Sequence, residues 1–115
     1  MVRQEELEQA ALMRWAMLQQ NVWPELRWLH HIPNGGHRSK IQGARLKAMG
    51  VKPGVFDLFL PVARKGYHGL YIEMKSKKGR LSDEQKAFGQ ACANNDYAMF
   101  VCHDAEQARH TIMAY

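Results

Sequence analysis

Apolar positions along this chain change their spacing several times, and each change marks an element. Over residues 4–21, Leu7, Ala11, Trp15 and Leu18 recur at helical intervals with no proline or glycine between them. That pattern predicts an amphipathic helix, ended by Trp23-Pro24. Residues 26–32 read as a short strand, followed by a turn at Pro33-Asn34-Gly35-Gly36. Residues 39–49 predict a second, shorter and very basic helix closed by Gly50, and Pro53-Gly54 makes another turn. The period then shortens. Residues 55–62 and 67–74 are apolar runs joined by Ala63-Arg64-Lys65-Gly66, the pattern of a β-hairpin with a basic tip. Ser82-Asp83-Glu84-Gln85 is a capping box, opening a helix through Phe88, Ala91 and Cys92 to Asn94. Asn95-Asp96 turns the chain into residues 97–102, a nearly unbroken apolar run expected of a strand covered on both faces. Asp104 can cap a last helix carrying Ala108 and Ile112.

The resulting order of helix, strand, helix, two strands, helix, strand and helix predicts an α/β fold: one domain over residues 1–115, with a central mixed β-sheet flanked by helices. Composition adds little to this picture, since 46% hydrophobic and 23% charged residues are ordinary for a globular chain. No apolar stretch approaches the roughly 20 residues a bilayer span requires. The acidic, polar N-terminus does not read as a signal or transit peptide. Cys92 and Cys102 are too few for a disulfide framework or a zinc site, and read as reduced core thiols of a cytoplasmic protein. The methionines and Trp15, Trp23 and Trp28 are most simply core.

Charge changes the picture more through its placement than through its net value of +5. Between Leu26 and Ile72 the sole acid is Asp57, amid Arg27, Arg38, Lys40, Arg45, Lys47, Lys52, Arg64 and Lys65. A basic middle suits a polyphosphate partner, because Lys and Arg release counterions when they meet phosphates; a solvated basic face is the plainer reading. The lone carboxylate within it is either half of a structural ion pair or a metal ligand.

A second carboxylate completes that thought. In Tyr71-Ile72-Glu73-Met74-Lys75 side chains alternate, so Glu73 and Lys75 share one face of a strand while Ile72 and Met74 take the other. With Asp57 on the adjacent strand, its carboxylate can converge on Glu73. Two carboxylates suit a hard divalent cation, and Lys75 beside them can hold a phosphate or orient a water. The competing reading is a same-face salt bridge between Glu73 and Lys75.

The wider context carries a resemblance. Gly54-Val55-Phe56-Asp57, then Ile72-Glu73-Met74-Lys75, resembles the PD-(D/E)xK nuclease superfamily with its restriction-endonuclease-like fold. More narrowly, residues 30–85 are similar to the VRR-NUC family of virus-type replication-repair nucleases. The similarity lies in His31-Ile32-Pro33-Asn34-Gly35-Gly36, Lys47-Ala48-Met49-Gly50-Val51-Lys52-Pro53-Gly54, Asp57-Leu58-Phe59-Leu60-Pro61, Gly69-Leu70-Tyr71-Ile72-Glu73-Met74-Lys75 and Gly79-Arg80-Leu81-Ser82-Asp83-Glu84-Gln85.

The resemblance implies Mg²⁺ or Mn²⁺ held by Asp57 and Glu73, Lys75 as the catalytic lysine, and a glutamate of the first helix as a further ligand. Glu8 is the choice for that ligand and Glu5 the reserve. Gln85 matches a family position near the metal or phosphate, although it is also the fourth residue of the capping box. The family's proline before the aspartate is replaced here by Phe56. The implied activity is a metal-dependent DNA endonuclease of repair or recombination, selective for branched or Holliday-junction DNA, acting as a homodimer without an organic cofactor. A nucleic-acid-binding module without catalysis is the alternative, and a site-specific restriction enzyme is a weaker third. Arg38, Ser39 and Lys40, with Arg45, Lys47 and Lys52, are the candidate nucleic-acid contacts. Adjacent on a strand, His30 and His31 point to opposite faces, which speaks for packing or phosphate contact over a shared metal.

Overall fold

The structure, a computed structural model, describes residues 3–33 and 39–115. Along the chain these form α1 (Gln4–Gln19), a 3-10 turn (Pro24–Trp28), β1 (His30–His31), α2 (Lys40–Ala48), β2 (Leu58–Leu60), β3 (Leu70–Met74), α3 (Asp83–Asn94), β4 (Ala98–Cys102) and α4 (Ala105–Ala114). The strands make one mixed sheet in the order β1-β2-β3-β4; the first two pairings are antiparallel and β3–β4 is parallel. A parallel pair needs a crossover, and α3 supplies it. The architecture is the α/β sheet with flanking helices that the element order predicts.

Local chemistry accounts for most of the boundaries. Lys65 and Gly66 both adopt positive φ, at 52° and 87°, between Arg64 and Tyr67, which exchange both backbone hydrogen bonds at 3.0 and 2.8 Å. This is the two-residue turn whose twist matches a hairpin. Ser39, Ser82 and Asp104 each accept a hydrogen bond from the backbone N–H three residues on, so α2, α3 and α4 all start on a side-chain cap. Gly50, with φ of +102°, ends α2 in the left-handed conformation glycine tolerates best.

The main core lies on one sheet face. Leu58, Leu60, Leu70, Ile72, Met74, Ala98 and Cys102 meet Leu12 and Ala16 of α1 and Ala108 and Ile112 of α4. On the other face, α3 covers an aromatic cluster. Tyr71 stacks on Phe59 at 4.3 Å and receives Phe88 edge-on at 5.2 Å. Phe56, 2% exposed, lies 5.7 Å from Phe88. Phe56, which stands where the resemblance implies a proline, is therefore a packing anchor against α3.

Several expectations are corrected. Leu7, Ala11 and Leu18 are exposed, and α1 instead buries Leu12 and Ala16. Apolar residues surround this helix, so spacing alone does not select a face; packing against the 3-10 turn and α4 does. Residues 26–32 are mostly not a strand, because Leu26 and Leu29 enter the core three residues apart, the period of a 3-10 turn. Only His30 and His31 pair with β2 as β1. The last strand lies at the sheet edge; α3 and α4 contact it from the two faces, as expected, but Phe100 remains 47% exposed. Trp28, Met17, Met49 and Met113 are also exposed rather than core. Within the expected turn of residues 33–36 only Pro33 belongs to the described residues.

Candidate active site

The site sits where β2 and β3 part. Leu58 pairs with Ile72, which puts Asp57 opposite Glu73 at the end of the ladder. Each carboxylate there replaces a ladder hydrogen bond with one to the opposing backbone. Glu73 Oε1 accepts from the Asp57 N–H at 3.0 Å, and Asp57 Oδ2 accepts from the Met74 N–H at 3.0 Å. The Asp57 carbonyl is fixed from the far side by the Ile32 N–H at 2.7 Å and His31 Nδ1 at 2.9 Å. Since a carbonyl only accepts, His31 carries its proton on Nδ1.

Alternation along β3 sends Ile72 and Met74 into the core and leaves Glu73 and Lys75 together. Lys75 Nζ lies 3.3 Å from Glu73 Oε2. The same oxygen accepts from Gln85 Nε2 at 2.9 Å. Gln85 satisfies both of its sequence readings at once, because its Oε1 accepts from the Ser82 N–H at 2.9 Å to complete the capping box. The cap fixes the amide and thereby aims its donor at Glu73.

Burial dominates the electrostatics. Glu73 is only 3% exposed, and its carboxyl is pushed up to about 7, first by desolvation and then by the Asp57 charge; Lys75 opposes the shift. Burial also raises Asp57 above the ordinary carboxylate range, against the Met74 N–H and the charges of His31 and Lys75. Two close acids that resist joint ionisation are what a bound divalent cation would relieve. Among the described residues no three His, Cys, Asp or Glu side chains gather into a cage. A Mg²⁺ site fits regardless, since such an ion is commonly held by one or two carboxylates with waters and substrate oxygens.

The expected residues divide. Asp57, Glu73, Lys75 and Gln85 line one cleft of about 660 Å³, together with His31 and Glu5. Glu8 is not in it. Its Oε1 accepts from the Ala105 N–H at 2.8 Å and its Oε2 from Gln4 Nε2 at 3.1 Å, so it caps the start of α4. Glu8 does face inward one turn before Leu12, as its position suggests, but what it meets is a helix end. Sequence reasoning gave His31 no place beside the carboxylates, and its nearness to Asp57 depends on the β1–β2 pairing.

Of the candidate nucleic-acid contacts, none of the described ones lines this cleft. Ser39 is spent on capping α2, Lys40, Arg45 and Lys47 are exposed on that helix, and Lys52 is exposed just beyond it. Arg38 lies outside the described residues. Two cations of the basic middle serve the fold instead: Arg64 pairs with Glu25 at 2.6 Å, and Lys65 donates to the Ala114 carbonyl.

Comparison with known proteins agrees with this geometry. The family model of the VRR-NUC domain matches residues 3–106. A solved structure described as a VRR_NUC domain protein is 28% identical and superposes with a TM-score of 0.82, over 100% of this chain and 89% of that one. No curated protein matches the chain. Among the described residues no helix is long and apolar enough to cross a membrane. A match spanning nearly all of the chain, on a fold whose paired acids and lysine share one cleft, leaves one assignment: the chain belongs to the VRR-NUC family, and is a nuclease-type domain with nucleic acid as its partner.

Proposed function

We propose that the chain is a Mg²⁺- or Mn²⁺-dependent deoxyribonuclease that hydrolyses phosphodiester bonds at the Asp57–Glu73–Lys75 cleft. The observation that carries this reading is the reciprocal clasp of two buried-side carboxylates, with a lysine 3.3 Å from one of them. Asp57 and Glu73 would hold the cation, and Glu5, on the cleft wall, is better placed than Glu8 to complete its shell. When bound, the ion supplies charge to the phosphate and acidifies a water.

The protein's own groups do the rest. Asp57 and Glu73 are oriented by opposing backbone N–H groups, so their oxygens need no reorganisation when substrate arrives. Gln85 holds Glu73 in place, a restraint typically worth tenfold to a hundredfold in activity for such supporting partners. Lys75 places a compact ammonium beside the carboxylates, where it can bind a phosphate oxygen as negative charge grows in the transition state. In-line attack by water would leave 5′-phosphate and 3′-hydroxyl ends. A branched or junction substrate, cut by a two-fold homodimer that addresses two strands, is the further part of this proposal.

The test is cleavage of labelled linear, flapped and four-way junction DNA in Mg²⁺, Mn²⁺ or EDTA. Asp57→Ala and Lys75→Ala should each lower the rate by about a thousandfold or more. Metal-independent binding without cutting would favour the non-catalytic module. Cutting that survives either substitution, or EDTA, would remove these residues from the mechanism.

A further inference from the structure

Beside the cleft lies a second groove, of about 720 Å³, that the proposed chemistry does not use. The two adjoin along the chain: Lys75 lines the cleft, whereas Ser76, Lys77 and Lys78 line the groove. They also share the first turns of α1, with Glu5 facing one and Gln4 and Glu8 the other. We propose that this groove is a second phosphate-binding site, which receives a flanking phosphodiester of the strand cut at the cleft. The proposal rests on the nuclease reading and extends it to the path of the substrate.

The basic wall is rigid and its charges are free. The Gly79 N–H donates to the Ser76 carbonyl at 2.9 Å, closing a tight turn. That carbonyl also accepts from His103 Nδ1 at 3.0 Å, and the Lys75 N–H donates to the Cys102 carbonyl at 2.9 Å. The turn is thus tied to the end of β4 on both sides of Ser76. Lys77 and Lys78 are exposed, and among the described residues neither takes part in an ion pair. Cations on a fixed backbone, with no carboxylate to surrender, lose little when they meet a phosphate.

The opposite wall is acidic, and two of its three carboxylates are held back by hydrogen bonds at the start of α4. Glu8 accepts from the Ala105 N–H and from Gln4, and Asp104 accepts from the Gln107 N–H at 2.8 Å. Both lie at the start of α4, where the helix dipole offsets negative charge. Glu106 is exposed and takes no part in an ion pair among the described residues. It steers an anion toward the lysine wall, so the strand leaves the cleft along Ser76-Lys77-Lys78 rather than along α4.

The experiment uses DNA binding in EDTA, where no cutting occurs, followed by cleavage in Mg²⁺. The Lys77→Ala/Lys78→Ala protein should bind duplex DNA on the order of tenfold more weakly at physiological salt, and its plot of log affinity against log salt should be shallower by about two. Single methylphosphonate linkages are then stepped outward from the cut site on either side. One of them should slow the wild type several-fold and leave the double variant unaffected. An unchanged salt slope, or a methylphosphonate cost equal in both proteins at every linkage, would overturn the subsite. Failure of the nuclease reading registers separately, as an absence of Mg²⁺-dependent cutting by the wild type while the salt slopes still report on Lys77 and Lys78.

Discussion

The parting ends of β2 and β3 and the helix α2 make opposite uses of charge. At the sheet end the polar groups interlock, so that Asp57, Glu73, Gln85 and Ser82 form one continuous chain of hydrogen bonds between strands and helix. Helix α2 buries no residue at all, and its lysines and arginine stand in solvent beside the exposed Ile41 and Met49. One region invests folding energy in holding two acids together; the other holds charge at almost no structural cost. A site that must fix atoms to a fraction of an ångström needs the first arrangement. A surface that gathers a polyanion needs only the second.

Ionisation of its carboxyls should weaken the first region and leave the second untouched. The Glu73 carboxyl is raised from its ordinary value to about 7, so between those values the folded protein binds more protons than the unfolded chain. Stability in EDTA is therefore greatest in mild acid and falls as pH rises toward neutrality, by roughly 3 kcal/mol. Asp57, raised in the same direction, adds to the fall. Urea melts from about pH 5 to about pH 8 measure it. Glu73→Gln should flatten the profile, and Mg²⁺ should restore stability at the alkaline end by binding the ionised pair. A flat profile in the wild type would mean that burial does not penalise the ionised carboxylates.

The contrast also explains what could be read from the sequence. Caps and tight turns were legible, because Ser82-Asp83-Glu84-Gln85 and Lys65-Gly66 carry their own local chemistry. So was the shared face of Glu73 and Lys75, which needs only the alternation of a strand. The pairing of Asp57 with Glu73 is less local. Continued without a break from the Arg64–Tyr67 bridge, the ladder would set Asp57 against Met74. Residues 61–63, however, stand opposite residues 68 and 69, and this one-residue bulge, at a proline with no N–H to donate, restores Glu73 as the partner. A one-residue slip turns every side chain over, so the site depends on a bulge that no hydrophobic pattern announces. The buried face of α1 was equally unreadable, because only tertiary packing distinguishes Leu12 and Ala16 from their apolar neighbours.

Helix α2 permits the converse test. Lys40→Ala, Arg45→Ala and Lys47→Ala combined should leave the melting temperature within the scatter expected of surface changes. The same protein should bind DNA roughly a hundredfold more weakly at 0.15 M salt, with a salt slope lower by about three. Fluorescence anisotropy across a salt series reads both quantities. Unfolding of this variant would show that α2 is held to the body by charge, and the contrast between the regions would then fail.

The smallest expected effect bears on Glu5 and Glu8, two of the three glutamates of α1, which lie less than one helical turn apart. Glu8 accepts from the first free N–H of α4 at 2.8 Å, and loss of a helix-capping acceptor costs about 1 kcal/mol. Glu8→Ala should therefore lower stability by that amount and leave the Mg²⁺ affinity, measured by calorimetry with inactive Lys75→Ala protein, unchanged. Glu5 lines the cleft, and its sole ion pair among the described residues is a long contact to Arg3 at 3.8 Å. Glu5→Gln should weaken Mg²⁺ binding and leave stability nearly intact. If Glu8→Ala instead weakens Mg²⁺ binding as much as Asp57→Ala does, α1 must rotate when metal enters and trade the α4 cap for a ligand. In that case the carboxylate end of the sheet is less rigid than its hydrogen bonds indicate.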